Sequence, residues 1–127
     1  MGSSVVSPNI NTQLLNDFQV AFQKDLGELI ELYLIDARKK FSNLLSALEA
    51  KNLENFTGAA RELRRRSIDV GAISFSHSCL ALEISTQEMR LEHLKKIVFQ
   101  LEIQFNEVEE ELLHIKAAHV AKIKKPF

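Results

Sequence analysis

The sequence has few of the residues that interrupt helices or cross-link small domains. It contains one cysteine, Cys79, so no disulfide can form within the chain. The two prolines, Pro8 and Pro126, lie near the ends, and only four glycines occur. No apolar run approaches the roughly 20 residues that a membrane-spanning helix needs. Because internal helix breakers are so scarce, the chain is most simply all-α.

The sequence also lacks a strong net charge and a signal peptide, and both absences exclude classes of protein. The formal charge is -1 at pH 7, so the composition does not favour a nucleic-acid-binding protein or an acidic tail. Residues 1–10 lack the basic start and apolar stretch of a signal peptide. Together with the lack of disulfides, this predicts a cytoplasmic protein without a membrane segment. The 127 residues suit one domain with one packed core.

Apolar residues recur at helical spacing along five segments of the chain. The pattern predicts a short first helix over about 11–22, which Asn11 or Thr12 would cap. A second helix is predicted over about 25–50, and Asn52 would cap a third. The inward positions of the second helix are Leu26, Ile30, Tyr33, Ala37, Phe41, Leu44 and Leu48. Those of the third are Leu53, Phe56, Ala60, Leu63, Ser67 and Val70.

The second half of the chain predicts two more helices. Gly71 stands where a left-handed glycine usually ends a helix, and a fourth helix is predicted over about 72–84. Ser85 and Glu88 form a possible capping box for the fifth. The fifth helix has the longest apolar stripe: Leu91, Leu94, Val98, Leu101, Phe105, Val108, Leu112 and Ile115.

Four long amphipathic helices with short connections predict an antiparallel up-down four-helix bundle. The short N-terminal helix would then cap one end of the bundle. The predicted organisation is a flexible lead over 1–10, a helical bundle domain over 11–118 and a basic C-terminal tail over 119–127.

The segments 29–56 and 59–72 carry the most specific pattern. The second reads AARELRRRSIDVGA and is followed downstream by Leu82 and Glu83. It resembles the signature of histidine-containing phosphotransfer (HPt) domains, roughly A-H-x-L-K-G-S-A-x-x-L-G-A with a later L-E. The positions in register are Ala60, Leu63, Val70, Gly71, Ala72, Cys79, Leu82 and Glu83. The resemblance covers about 14–115 and implies a helical domain of two-component phosphorelays.

The sequence departs from that signature where the family does its chemistry. Arg61 stands at the position of the phosphorylated histidine, Arg65 replaces a glycine and Arg66 replaces a small residue, whereas Arg64 keeps the basic character of a lysine. A phosphoacceptor needs a nucleophilic lone pair near neutral pH, which imidazole supplies and a guanidinium does not. In the family, the glycine admits a receiver domain close to the imidazole. The resemblance therefore implies a pseudo-HPt protein that does not transfer phosphate and is not an enzyme.

Arg61 and its neighbours form the predicted partner-binding surface, with Arg61 near mid-helix and its guanidinium in solvent. Helical spacing places these residues on one face of the third helix: Thr57, Gly58, Arg61, Arg64, Arg65 and Ile68. The resemblance implies that the partner is a response-regulator receiver domain or a hybrid histidine kinase. An arginine could enter the acidic pocket of a receiver, because guanidinium and carboxylate groups pair with defined geometry. The protein would then modulate or compete with a phosphorelay.

Several alternatives stay open at the level of the sequence. The arginines could form a solvated face paired with Glu54 and Glu62. The chain could also be a helical assembly or adaptor module that acts through its long last helix, or it could transfer phosphate through a different histidine such as His77. No metal site, cofactor or nucleic-acid partner is expected, since no ligand cluster and no stacking aromatics accompany the basic residues. A monomer is expected rather than a dimer.

Overall fold

The computed structural model describes residues 9–86 and 90–123. In this part of the chain the helices are α1 (Thr12–Phe22), α2 (Leu26–Glu49), α3 (Leu53–Asp69), α4 (Ile73–Ser85) and α5 (Leu91–Ile123). The described residues contain no strand, so the predicted all-α class is confirmed.

Polar side chains begin the first three helices, largely as the sequence predicts. The side chains of Asn11, Asp25 and Asn52 each accept a hydrogen bond from a backbone N–H in the first turn of the helix that follows. Each bond satisfies one of the amide groups that have no partner at the start of a helix. The predicted capping box of Ser85 and Glu88 cannot be compared, because Glu88 lies outside the described residues.

The connection between α3 and α4 is short because Gly71 reverses the chain. Gly71 has φ +83°, and the backbone N–H of Ala72 donates to the Ser67 carbonyl at 2.9 Å. This is the bond pattern of a left-handed helix end, which the sequence predicts at Gly71. The connection between α2 and α3 also contains a residue in the left-handed conformation, Lys51, with φ +57°.

The four longer helices occupy the corners of a square. α2 packs against α3 and α5, and α4 packs against the same two helices, so α3 and α5 are diagonally opposite. α1 contacts α2 and α3 at one end of the bundle, where the Asn11 N–H donates to the Gly71 carbonyl at 2.8 Å. The predicted antiparallel bundle with a short capping helix is therefore the observed fold.

Aromatic side chains from three helices meet in the core. Phe41 of α2, Phe75 of α4 and Phe105 of α5 have ring centroids 5.2 to 6.1 Å apart. Beside them, the Tyr33 hydroxyl and Ser67 Oγ form a buried hydrogen bond of 2.7 Å between α2 and α3. Burial raises the pKa of Tyr33 well above its ordinary value, against the opposing effect of the bond to Ser67. The tyrosine therefore stays neutral in the core.

One position predicted to face inward is exposed. Leu53 is 43 % exposed, because it lies in the first turn of α3, where it lines a surface hollow with Thr57 and Arg61. The prediction of Leu53 as core was wrong, because periodicity alone does not show where a helix extends past its neighbours.

Within the described residues, the folded part of the chain reaches beyond both predicted bounds of the bundle domain, 11 and 118. Ile10, which the sequence assigned to the flexible lead, is buried in the core, and the Asn9 N–H donates to a carboxylate oxygen of Glu111 at 3.1 Å. α5 continues to Ile123, through the first part of the predicted basic tail. Residues 1–8 and 124–127 lie outside the described residues.

Candidate functional site

α3 carries all six residues of the predicted partner-binding surface. Arg65 is the most exposed of its three arginines, at 63 % of the side chain, compared with 43 % for Arg61 and 22 % for Arg64. Ile68 is exposed, and Thr57 and Gly58 are half-buried. The structure therefore places these six residues on one accessible face, which we call the arginine face: Thr57, Gly58, Arg61, Arg64, Arg65 and Ile68.

Glu83 of α4 binds two residues of the arginine face. Arg61 Nε donates to Glu83 Oε1 at 2.9 Å, and Arg64 Nε donates to Glu83 Oε2 at 3.0 Å. Arg61 lies near the middle of α3, as predicted, but its guanidinium is only partly in solvent because of this bond. Two guanidinium groups share one carboxylate, so the three side chains together retain a net positive charge.

The ionisation of Glu83 follows from the same contacts. Partial burial by itself raises the pKa of the Glu83 carboxyl, but the hydrogen bonds from Arg64 and Arg61 outweigh it and hold that pKa below its usual range. Glu83 is therefore a carboxylate at neutral pH. Each of its two oxygens accepts a charge-assisted hydrogen bond, which is stronger than a neutral one.

Gly58 opens the arginine face towards α2. A methyl group added at Gly58 would meet no atom within 4 Å. A solvent-open groove of about 840 Å³ passes this position between α2 and α3. Arg61 and Arg65 line one side of the groove, and Lys40 and Asn43 of α2 line the other. Glu54 and Glu62 of α3 also line the groove, so its surface carries charges of both signs.

Arg66 does not belong to the arginine face. Its Nε lies 3.9 Å from Asp36 Oδ2 on α2, and the other oxygen of Asp36 is 3.5 Å from Lys40 Nζ. Asp36 Oδ2 is buried and has no hydrogen-bond partner among the described residues. The three consecutive arginines are therefore divided, with Arg66 turned towards α2.

The acidic partners of the arginines differ in part from those expected for a solvated helix face. Arg65 Nη1 lies 3.9 Å from Glu62 Oε2, as that alternative predicts. Arg61, however, pairs with Glu83 and not with Glu54 of its own helix. A bond between helices restricts a side chain more than a contact along one exposed helix surface does, so Arg61 is held in a defined position.

His77 and Cys79 of α4 lie in different surroundings, His77 at the surface and Cys79 in the core. His77 is exposed, and it lies about 120° around the helix axis from Glu83. Cys79 is buried in the core, where desolvation raises the pKa of its thiol to about 12. The thiol therefore stays protonated and fills space in the core.

Glu83, Lys40 and Asn43 were not among the site residues predicted from the sequence. These three residues could have been predicted from the antiparallel register of helices that are joined by short connections. Residues equidistant from Ala72 face each other on α3 and α4, which places Glu83 opposite Arg61, each eleven residues from Ala72. The same count from the α2–α3 connection places Lys40 beside Arg61 and Arg65.

The described residues contain no further feature that would indicate a metal centre or a membrane anchor. Within residues 9–86 and 90–123, no three His, Cys, Asp or Glu side chains are grouped as a metal ion would require. None of the helices described combines the length and the apolar character needed to cross a bilayer.

The fold and its arginine face define a class of protein: a small up-down helical bundle with an accessible helix at one corner. No protein-family model matches the chain, and no curated protein matches it. Among solved structures, the chain is similar to the crystal structure of histidine-containing phosphotransfer protein B (HptB) from Pseudomonas aeruginosa PAO1. The TM-score is 0.80 at 19 % sequence identity, over 89 % of this chain and 98 % of that one. The chain therefore has an HPt-like fold.

Proposed function

We propose that this protein is a non-catalytic pseudo-phosphotransfer protein that binds receiver domains of two-component signalling proteins through the arginine face. The partner is a response-regulator receiver or the receiver of a hybrid histidine kinase. Binding there would compete with true phosphotransfer proteins for the same receiver. The HPt-like fold supports the choice of partner, and the residue at position 61 supports a role without transfer.

The arrangement of Arg61 and Arg64 around Glu83 carries the proposal. Among the described residues, both arginines bond to Glu83 through Nε, so their terminal Nη groups are left for a partner. A guanidinium held by one edge still presents donors with the geometry of a carboxylate. Because its orientation is already set, Arg61 would lose less conformational entropy on binding. The acidic pocket of a receiver supplies the carboxylates that match it.

The absence of transfer follows from the chemistry of Arg61. Its guanidinium stays protonated and offers no lone pair to a phosphoryl group. What such a residue can do in an acidic pocket is to pair with a carboxylate. Positive charge at the contact would also accelerate association and make the affinity depend on salt.

The test is a calorimetric titration of the full chain with a panel of receiver domains at low and moderate salt. The doubly reversed variant Arg61→Glu/Arg65→Glu should bind about a hundredfold more weakly than the wild type, because two attractive contacts become repulsive. The matched control is Lys39→Glu/Lys122→Glu, which changes the net charge equally at exposed positions on α2 and α5.

The control variant should retain the wild-type affinity to within about threefold, through the weaker long-range effect of charge. Equal losses in the two variants would mean that net charge alone attracts the receiver. No binding of the wild type to any receiver would contradict the proposal directly.

Phosphate transfer through a different histidine is the second candidate, because His77 is exposed on α4. Incubation with a phosphorylated receiver distinguishes the two functions. The proposed function predicts no acid-labile phosphate on the chain. Label on the wild type that disappears in His77→Ala would favour His77 as an acceptor.

A further inference from the structure

The outward face of α5 carries large apolar side chains that the bundle does not cover. Phe99 is 64 % exposed, Ile103 48 % and Leu113 43 %. Leu45 of α2, at 43 %, lies beside Phe99 in a hollow between the two helices. This surface belongs to the corner diagonally opposite α3, so it lies away from the arginine face.

The exposed residues of this surface follow the spacing of a coiled-coil seam. Steps of four and three connect seven positions: Glu92, Lys96, Phe99, Ile103, Asn106, Glu110 and Leu113. The inward stripe, from Leu94 to Leu112, is a separate series that the bundle already uses. α5 therefore has an apolar stripe inside the bundle and, on its opposite side, an outward seam whose apolar members are Phe99, Ile103 and Leu113.

The charges along the outward seam are opposite on the two sides of Ile103. Lys96 precedes the apolar centre by seven residues, and Glu110 follows it by seven. A surface with this arrangement is complementary to itself when it is turned end over end. A parallel pairing would instead oppose Lys96 to Lys96 and Glu110 to Glu110.

We infer that the outward seam of α5 binds a second copy of this chain, antiparallel and with the twofold axis at Ile103. Lys96 of each copy then faces Glu110 of the other, and Phe99 packs beside Ile103 of the second copy. Such an interface is isologous, since one patch meets itself. The occupant is identified by the self-complementary charges, which a partner of unrelated sequence would have no reason to match.

The dimer differs from the monomer expected from the sequence, and it leaves the proposed receiver-binding surfaces free. The two arginine faces would lie on opposite outer sides of the pair. The two copies could then bind two linked or clustered receivers, and tethering would raise the overall affinity. The inference itself does not depend on receiver binding, because dimerisation is measured on the purified chain alone.

Sedimentation equilibrium of the full chain tests the charge pairing. Lys96→Glu and Glu110→Lys should each raise the dimer dissociation constant about tenfold, because each reversal places two like-charged pairs in the interface. The double variant Lys96→Glu/Glu110→Lys should recover the wild-type value to within about threefold. Two single variants with no effect, or a double variant weaker than either, would overturn the inference.

The apolar contribution is tested by replacing Phe99 and an equally exposed residue elsewhere. Phe99→Asp should abolish the dimer, whereas Ile84→Asp on α4, where Ile84 is 70 % exposed, should leave the dissociation constant unchanged. Circular dichroism melting curves show whether each variant remains folded. A wild-type chain that is monomeric up to about millimolar concentration would refute the dimer outright.

Oxidative cross-linking tests the orientation of the two helices. In the antiparallel pair, Ile103→Cys lies next to its own copy and should form an intermolecular disulfide. Phe99→Cys should not, since its two copies would be separated by about 12 Å along the helix axis. Cys79 is buried, so the unmodified chain is the blank. Equal cross-linking at both positions would contradict the antiparallel arrangement.

Discussion

Glu83 accepts hydrogen bonds from Arg61 and Arg64 at the same time, and this single carboxylate sets the geometry of the arginine face. Its side chain is only 13 % exposed, whereas that of Arg61 is 43 % exposed. The anion is thus sheltered and the cations reach solvent. A negatively charged partner surface would therefore contact the arginines and not Glu83.

The low pKa of Glu83 predicts how stability depends on pH. A carboxyl whose folded pKa lies below its unfolded value of 4.5 stabilises the fold above that value, and the stabilisation is lost as pH falls through the lower folded pKa. Glu83→Gln should therefore lower the free energy of unfolding by about 1 kcal/mol at pH 7, a figure reduced for the solvent exposure of the arginines. Urea unfolding at several pH values measures the difference.

The difference between wild type and Glu83→Gln should disappear below the folded pKa, where the wild-type residue is also neutral. Glu62→Gln is the comparison, because Glu62 is more exposed and lies 3.9 Å from Arg65. It should change stability by less than about 0.5 kcal/mol. A Glu83→Gln effect that is the same at all pH values would show that packing, and not the charge, is responsible.

A second prediction concerns phosphate transfer to variants at Arg61 and Arg65. Arg61→His alone should acquire little phosphate from a phosphorylated receiver, because the Arg65 side chain still covers the approach to position 61. Arg61→His/Arg65→Gly should acquire more, since the acceptor is restored and the side chain at position 65 is removed. Acid-labile radiolabel on the purified chain is the measurement. Full transfer by Arg61→His alone would show that Arg65 is no obstacle.

The connection between α3 and α4 determines where α1 can lie. Gly71 has a positive φ, and its carbonyl accepts from the Asn11 N–H, which joins the start of α1 to the end of α3. A Cβ atom at this position would approach the Asn11 carbonyl oxygen to 2.3 Å. Both the conformation and the space therefore require glycine.

Gly71→Ala should lower the free energy of unfolding by about 2 kcal/mol or more, because it combines backbone strain with a clash against α1. Gly58→Ala is the matched control within α3, where nothing lies near the added methyl group. It should stabilise the chain by up to about 1 kcal/mol, since alanine favours a helix interior. Chemical unfolding compares the two, and equal effects would contradict the assigned role of Gly71.

The bond between Tyr33 and Ser67 connects α2 to α3 within the core. Tyr33→Phe should cost about 1–2 kcal/mol, because the Ser67 hydroxyl is left buried without this partner. Tyr33→Phe/Ser67→Ala should cost less than the sum of the two single changes, since neither polar group then remains unpaired. A double-mutant cycle of unfolding free energies measures the coupling, and strict additivity would show that the bond contributes nothing.

The diagonal positions of α3 and α5 separate the two proposed interfaces across the whole molecule. Receiver binding and dimerisation should therefore be energetically independent. Arg61→Glu/Arg65→Glu should leave the dimer dissociation constant within about twofold of the wild type. Lys96→Glu should likewise leave the affinity per receiver unchanged. Sedimentation equilibrium and calorimetry on both variants test this, and a change in both quantities from either variant would indicate that the surfaces overlap.

Helix positions were predictable from the sequence because they depend on local chemistry. Asn11 and Asn52 accept hydrogen bonds from residues within their own first turns, and Gly71 adopts a conformation that other residues avoid. Apolar periodicity then predicted the all-α bundle, since a helix must bury its apolar side against another. The position of Arg61 on an accessible face followed from the same spacing.

Only the tertiary structure decided which side chains on different helices meet. Glu54 lies seven residues before Arg61 on the same helix, beyond the usual spacing of a helix pair, whereas the register of α3 against α4 brings Glu83 to Arg61. Only the packed bundle shows that Phe99 and Ile103 stay exposed, because the inward stripe of α5 is the one that packs against the other helices. The spacing of residues along one helix determines which of them share a face. The packing of whole helices, which depends on contacts far apart in the chain, determines what that face touches.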